Sequence, residues 1–268
     1  IVVMKDGTVV ADRAASAFST ESLVSAMGSV VRTREARTAR ADEPARAPVL
    51  ARKAAGRGLD FVARPGELIG LAGLAGHGQT RMLVDLFMAE GGSWRTPRAR
   101  KIAFVAGDRA VDGNLPLWSI VKNMSVTLLP GITRLGLVDR AAEARVAADW
   151  HKRIAVRTEN MDNTILSLSG GNQQKVLFAR ALASPAPVVL MDDPMRGVDI
   201  GTKQEVYAML RAEAAGGRTF VWYSTEMDEV CQCDRVYVFR EGVIVAELTG
   251  SAISEDRILS ASFSEQAA

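Results

Sequence analysis

Residues 73–80, GLAGHGQT, set Gly73, Gly78 and Thr80 at the spacing G-x-x-x-x-G-K-[ST], with Gly76 and His77 inside the turn and Gln79 at the Lys position. Glycines so placed let successive backbone N–H groups turn inward on phosphate oxygens. The following helix N-terminus adds a partial positive charge, and a Thr hydroxyl can ligate Mg²⁺. Gln79 offers a neutral donor where an ammonium would meet the β and γ phosphates. Losing one charge-assisted contact costs roughly 1.5–3 kcal/mol, about ten- to hundred-fold in affinity. Residues 187–193, PVVLMDD, end an apolar run in two carboxylates. An acid at the C-terminal edge of a buried parallel strand can hold Mg²⁺ through water, the role expected of Asp192. The next can orient or deprotonate an attacking water, the role expected of Asp193. In LSLSGGNQQKV, residues 166–176, Ser169 with Gly170 and Gly171 at a helix start presents a hydroxyl, bare N–H groups and a dipole end to an anion.

The run Leu168-Ser169-Gly170-Gly171-Asn172-Gln173-Gln174-Lys175 resembles the signature motif of ATP-binding cassette (ABC) proteins, in the long form of bacterial sugar-importer ATPases. Other landmarks of that family follow by resemblance. Gly197-Val198-Asp199 resembles the D-loop, and Ser224-Thr225-Glu226-Met227 the switch segment after the last core strand. Gly107-Asp108-Arg109 with Asp112-Gly113 resembles the coupling stretch leading into a helical subdomain. The resemblance implies an α/β P-loop NTPase core, ATP and Mg²⁺ as cofactors, Thr80 and Asp192 on the metal, and Asp193 and Thr225 at the catalytic positions. It also implies a nucleotide held between two cassettes, each phosphate loop facing the opposite signature, here Ser169, Gly170, Gly171 and Gln173.

The partners it implies are a preceding cassette or a second copy, membrane permease subunits and, through them, a solute-binding protein, on the inner face of a bacterial membrane. The string GHGQT has some likeness to nucleoside-importer relatives, which leaves the solute class open. A non-transport cassette or nucleotide sensor is the alternative from another class. Several positions depart from the family pattern. Thr225 stands for the switch His, Gln79 for the Lys, and Asp193 is one methylene shorter than the usual Glu. Gly107-Asp108 occupies the region of the coupling Gln, and residues 91–100 are shorter than the usual segment with its extra antiparallel strands. No aromatic lies between Val31 and Leu59 to stack adenine, so Phe61 is the nearest candidate. These departures predict a cassette whose own hydrolytic site is weak and whose signature is intact.

The elements that must position these groups are legible as period and punctuation. Strands are expected at Leu68–Leu71, Lys101–Val105, Val188–Met191 and Thr219–Ser224, alternating with helices at Thr80–Ala89, Gln173–Ser184 and Lys203–Ala215. Apolar strands alternating with helices predict a mostly parallel sheet covered on both faces. Residues 115–165 read mostly helical, clearest at Ala141–Arg153, with an exposed apolar groove expected around Leu115, Leu117 and Trp118 for a permease helix.

The first 29 residues align without gaps on residues 236–264 with ten identities, among them Val3 with Val238 and Gly7 with Gly242. Each copy reads strand, tight turn, strand, short helix. Residues 1–30 are therefore expected to be the tail of a preceding domain, 31–57 a basic linker, and 58–268 a second domain, with its helical part at about 115–165. Arg32–Arg57 carries eight Lys or Arg against Glu35, Asp42 and Glu43, while the whole chain of 268 residues is only +2. Bulk charge therefore gives no support to nucleic-acid binding. Two cysteines and two histidines cannot supply a four-ligand zinc site and suit a reducing, cytoplasmic setting. The start at Ile1, with no leader visible, suggests part of a longer polypeptide.

Overall fold

The computed structural model describes residues 1–5, 8–18, 22, 47–54, 56–89 and 101–263. In chain order the strands are β1 (Val2–Lys5), β2 (Thr8–Asp12), β3 (Leu50–Arg52), β4 (Phe61–Ala63), β5 (Leu68–Gly73), β6 (Ile102–Val105), β7 (Thr133–Arg134), β8 (Leu137–Val138), β9 (Val188–Asp192), β10 (Thr219–Tyr223), β11 (Arg235–Arg240) and β12 (Val243–Thr249). The helices are α1 (Gln79–Ala89), α2 (Ile120–Ser125), α3 (Leu129–Ile132), α4 (Arg140–Ile154), α5 (Gly170–Ala183), α6 (Ile200–Ala215), α7 (Met227–Val230) and α8 (Glu255–Phe263).

Six strands form the central sheet in the order β12-β11-β5-β10-β9-β6, parallel at every junction except the β11–β12 hairpin. Side chains alternate between its faces. Val189 and Met191 of β9, with Phe220 and Trp222 of β10, join a core built with α5, α6 and α8. Val188 and Leu190, with Ile69, Leu71, Val221 and Tyr223, pack on the other face against Met82, Leu83 and Leu86 of α1. The near-continuous apolar runs of β5, β9 and β10 are what a sheet covered on both sides requires.

Three boundaries differ from the sequence expectation. α5 starts at Gly170 rather than Gln173, because Ser169 stands at its N-cap and the two glycines form the first turn. α6 starts at Ile200 rather than Lys203, because the Asp199 side chain accepts the Thr202 N–H and so caps it. The stretch assigned to the linker contains β3, paired antiparallel with β4, and Arg52 forms an ion pair with Asp85 of α1 at 2.9 Å. The folded domain thus begins before residue 58, in a strand that the Arg, Lys and Ala around it conceal. Residues 31–46 of the linker and 91–100 of the shortened segment lie outside the described residues. The 115–165 region is helical at α2, α3 and α4 but also holds the small β7–β8 hairpin.

The internal repeat is visible as structure. In the β1–β2 hairpin Val2 faces Asp12, Val3 faces Ala11, and the register shifts between Val3 and Met4 before Met4 faces Val9. In β11–β12 Tyr237 faces Glu247, Val238 faces Ala246, and the shift falls between Val238 and Phe239 before Phe239 faces Ile244. Each hairpin is followed by one short 3₁₀ turn, Ala15–Ala17 in the first and Gly250–Ala252 in the second. The expected helix of the first copy falls on residues outside those described, apart from Ser22.

Candidate nucleotide site

β5 runs between β11 and β10 and delivers the glycine-rich loop to the C-terminal edge of the sheet. Gly73 has φ +123, and a methyl group on it would lie 2.3 Å from the Phe239 carbonyl oxygen, so only glycine closes the strand against β11 here. Gly76 and Gly78 also have positive φ, and the His77 carbonyl accepts the Gly242 N–H at 3.1 Å. Gln79 is 1% exposed. Its amide Nε2 donates to the Ala72 carbonyl at 3.2 Å and the Leu74 carbonyl at 3.1 Å. Both of its protons are therefore spent on the loop's own backbone. His77 is half-buried, and its Nδ1 has no hydrogen-bond partner among the described residues. Arg81 lies exposed on α1.

Across from the loop, the Thr80 hydroxyl donates to Asp192 Oδ1 at 2.8 Å, bringing two hard oxygen donors together. That pair suits Mg²⁺, which takes one or two protein oxygens and completes its octahedron with phosphate and water. Among the described residues no group of three or more His, Cys, Asp or Glu side chains gathers to hold a metal. Burial raises the Asp192 carboxyl above its ordinary value; the Thr80 hydroxyl opposes this, and the nearby Asp193 and Asp112 reinforce it. Asp193 leaves the strand in the left-handed region at φ +44, with its N–H donating to the Tyr223 carbonyl at 2.8 Å. Its carboxylate accepts the Thr225 hydroxyl at 3.1 Å and the Thr225 N–H at 3.3 Å. Gly107 lies so close to this corner that a methyl on it would sit 2.2 Å from the Asp192 carbonyl oxygen. The loop, both acids and Thr225 thus form one group.

A second group surrounds the start of α5. Ser169 occupies the N-cap position with extended backbone, and its hydroxyl makes no cap bond but accepts the Asn172 side-chain amide at 3.0 Å. The Arg109 guanidinium lies over Gly170, where a Cβ would meet Nη2 at 2.8 Å, and Arg109 Nη1 donates to the Arg196 carbonyl at 3.4 Å. Gly171 faces the Asp199 carboxylate and the Thr202 hydroxyl. Burial alone would raise Asp199, but the Thr202 N–H at 2.9 Å and hydroxyl at 2.8 Å hold it below its ordinary value. Gln173 turns inward, donating to the Leu168 carbonyl and accepting the Asn114 amide, each at 2.9 Å. It braces the motif from behind.

Phe61 cannot take the adenine role suggested for it. It is buried at the start of β4, with its ring 5.1 Å from that of Tyr237. Cys231 and Cys233 are buried just beyond α7. Leu117 is 90% exposed and Trp118 is exposed as well, while Leu115 is half-buried, so the apolar face expected there is open at its tip.

Two networks escaped the sequence reading. Behind the switch segment, buried Glu229 accepts the Ser224 hydroxyl at 2.6 Å and the Tyr207 hydroxyl at 3.1 Å, and pairs with Lys203 at 2.9 Å. Beside α5, Arg180 donates to the Asn123 carbonyl at 2.6 Å, to Asn123 Oδ1 at 2.6 Å and to the Gly113 carbonyl at 2.5 Å. Burial pushes that guanidinium down to about 10. The available signal was a lone cation inside the otherwise apolar run VLFARALA, residues 176–183.

The fold and the ordered landmarks define a nucleotide-binding cassette, and a family profile described as ABC transporter matches residues 57–196. The chain belongs to the ABC transporter family. Among curated relatives it is 40% identical to the ribose import ATP-binding protein RbsA 1 of Rhizobium etli, over 76% of this chain and 43% of that protein. It is 33% identical to RbsA 2 of Rubrobacter xylanophilus, over 97% of this chain and 54% of that protein. The chain thus spans about half the length of these relatives. A dimeric bacterial ABC transporter cassette of known structure shares the fold with TM-score 0.61 at 22% identity, over 71% of this chain and 88% of that one. A post-hydrolysis dimer described as bound to ADP and Pi gives TM-score 0.62 at 20% identity, over 76% of this chain and 97% of that one.

Proposed function

We propose that this chain is the second nucleotide-binding cassette, with the tail of a first, of an ATP-hydrolysing protein that energises import of a sugar-like solute. It lends Ser169, Gly170 and Gly171 to the phosphate loop of the preceding cassette, while its own loop binds ATP weakly and hydrolyses it slowly. The observation that carries this reading is Gln79, whose amide protons are committed to Ala72 and Leu74 and which supplies no charge to a phosphate. The start of α5, by contrast, keeps the Ser169 hydroxyl free of any cap bond.

When nucleotide binds in this loop, Mg²⁺ supplies charge neutralisation for the phosphates, held by Thr80 and Asp192. Asp193 then has hydroxyl and backbone partners from the switch segment, the Thr225 hydroxyl and N–H and, at 3.4 Å, the Ser224 hydroxyl, in place of an imidazole that could bridge base and γ-phosphate. The preceding cassette is supported by the shared register of the two hairpins. It is supported also by exposure, since Val2, Met4 and Val9 are 57%, 61% and 58% exposed whereas their counterparts Tyr237, Phe239 and Ile244 are buried. The partners are membrane permease subunits, which meet the chain at the Leu117–Trp118 tip, and through them a solute-binding protein. Among the described residues no helix is long and apolar enough to cross a membrane, and the protein works as a peripheral subunit on the cytoplasmic face. Relatives named for ribose import favour a sugar over a nucleoside.

Calorimetry of ATP–Mg²⁺ binding tests this. The unmodified chain binds weakly, and Gln79→Lys tightens binding about ten-fold or more. Tight binding without the substitution overturns the weak-loop reading. So does steady hydrolysis by this chain alone that disappears in Asp193→Asn.

A further inference from the structure

α5 carries the signature at its N-terminus and Arg180 on its last turns, roughly 15 Å along a rigid rod. Among the described residues Arg180 has no acidic partner to offset its burial. Taking a charge out of water without a counter-charge is costly, so its three short bonds to Asn123 and Gly113 must be kept together. Asn123, fully buried, passes the link on. Its Oδ1 takes the Leu115 N–H at 3.0 Å as its second bond beside Arg180, and its amide donates to the carbonyls of Leu115 at 3.0 Å, Ser119 at 3.1 Å and Trp118 at 3.2 Å. Those carbonyls define the loop whose tip exposes Leu117 and Trp118. A second tether joins the same segment to the signature itself, through Asn114 and Gln173. The segment 113–123 is thus fastened to α5 at both ends of the helix.

We infer that Arg180 and Asn123 form a positioning couple that makes the signature helix and the Leu117–Trp118 loop move as one body, so that engagement of a nucleotide by Ser169–Gly171 is felt at the surface that meets the permease. This rests on the importer reading above. Neither residue belongs to the phosphate loop or the signature, and their substitution leaves the chemistry in place while weakening its connection to the partner, with the Asn114–Gln173 tether remaining.

The test uses the full-length protein with and without its permease in vesicles, comparing Arg180→Gln, Arg180→Lys and Leu117→Ser with the unmodified protein. Arg180→Gln keeps hydrolysis without permease within about two-fold and loses about five-fold or more of the stimulation by permease, and Arg180→Lys recovers part of that loss. Leu117→Ser gives the same loss, and combining it with Arg180→Gln adds little, as expected for one path. Stimulation that survives Arg180→Gln overturns the inference and leaves the importer reading standing. An unmodified protein that permease does not stimulate removes that reading and the inference together. If Arg180→Gln fails to fold, hydrogen exchange at the Leu115 amide of the unmodified assembly decides: its rate changes on addition of ATP–Mg²⁺, and an unchanged rate overturns the couple.

Discussion

Glu229 shows how a single buried carboxylate can steer the switch segment without touching nucleotide. It takes the Ser224 hydroxyl at 2.6 Å, and Ser224 is the neighbour of Thr225, whose hydroxyl and N–H hold Asp193. Burial raises Glu229 above its ordinary value of 4.5, while Ser224 and Lys203 pull it back. The folded chain therefore keeps this proton at pH values where the unfolded chain has released it, and binds more protons than the unfolded chain does. Its contribution to stability is present below pH 4.5 and declines as the pH rises through the folded value. Urea unfolding of the unmodified protein and of Glu229→Gln across pH 4.5–8 should show the stability difference moving in favour of the variant as the pH rises, then levelling. A difference independent of pH would mean that Glu229 is ionised throughout. Nothing in STEMDEV, residues 224–230, distinguishes this acid from Glu226 or Asp228, because its burial is set by Tyr207 and Lys203, elsewhere in the chain on α6.

At the scale of elements, what could be read in advance followed local chemistry, and what could not depended on distant packing. β5, β9 and β10 were legible because strands buried on both faces need unbroken apolar runs. α4 was legible because its charged face repeats and Asp139 caps it, accepting the Ala141 and Ala142 N–H groups at 3.0 Å. The starts of α5 and α6 were placed three residues late, since Gly-Gly and Ile-Gly read as loop until the residues before them are seen as caps. β3 was hidden because its side chains are mostly exposed and, among the described residues, it pairs with β4 alone. Among the site residues, Thr80, Asp192, Asp193 and Thr225 do converge, whereas Gln79 and Gln173 turn to backbone and neighbour. That orientation no spacing rule reports. The Asp199 cap makes a prediction here. Asp199→Ala leaves the first turn of α6 without its acceptor and costs about 1 kcal/mol in denaturant unfolding at neutral pH. Because the folded carboxyl lies below its ordinary value of 3.8, this contribution is complete above pH 3.8 and is lost as the pH falls through the folded value. The gap between parent and variant should therefore close in acid, and a gap that widens would rule the cap out as its source.

The whole molecule carries one hairpin twice, in two settings. In β11–β12 the bulge and register place Tyr237, Phe239 and Ile244 inside the sheet core beside β5 and α1. In β1–β2 the same register turns Val2, Met4 and Val9 to solvent. An apolar face on a hairpin that pairs with no third strand among the described residues invites association, because hydrophobic burial and unpaired backbone groups both reward a partner. This chain alone is accordingly expected to self-associate with rising concentration in sedimentation experiments. Met4→Glu with Val9→Lys should make it monomeric while changing its unfolding free energy by no more than about 0.5 kcal/mol, the usual range for exposed positions. In the full-length protein, where a preceding cassette would cover that face, the same pair of substitutions puts two charges into a core and should cost several kcal/mol. Equal and small effects in both settings would show that nothing covers the first hairpin, and the reading of residues 1–30 as the end of another cassette would fail.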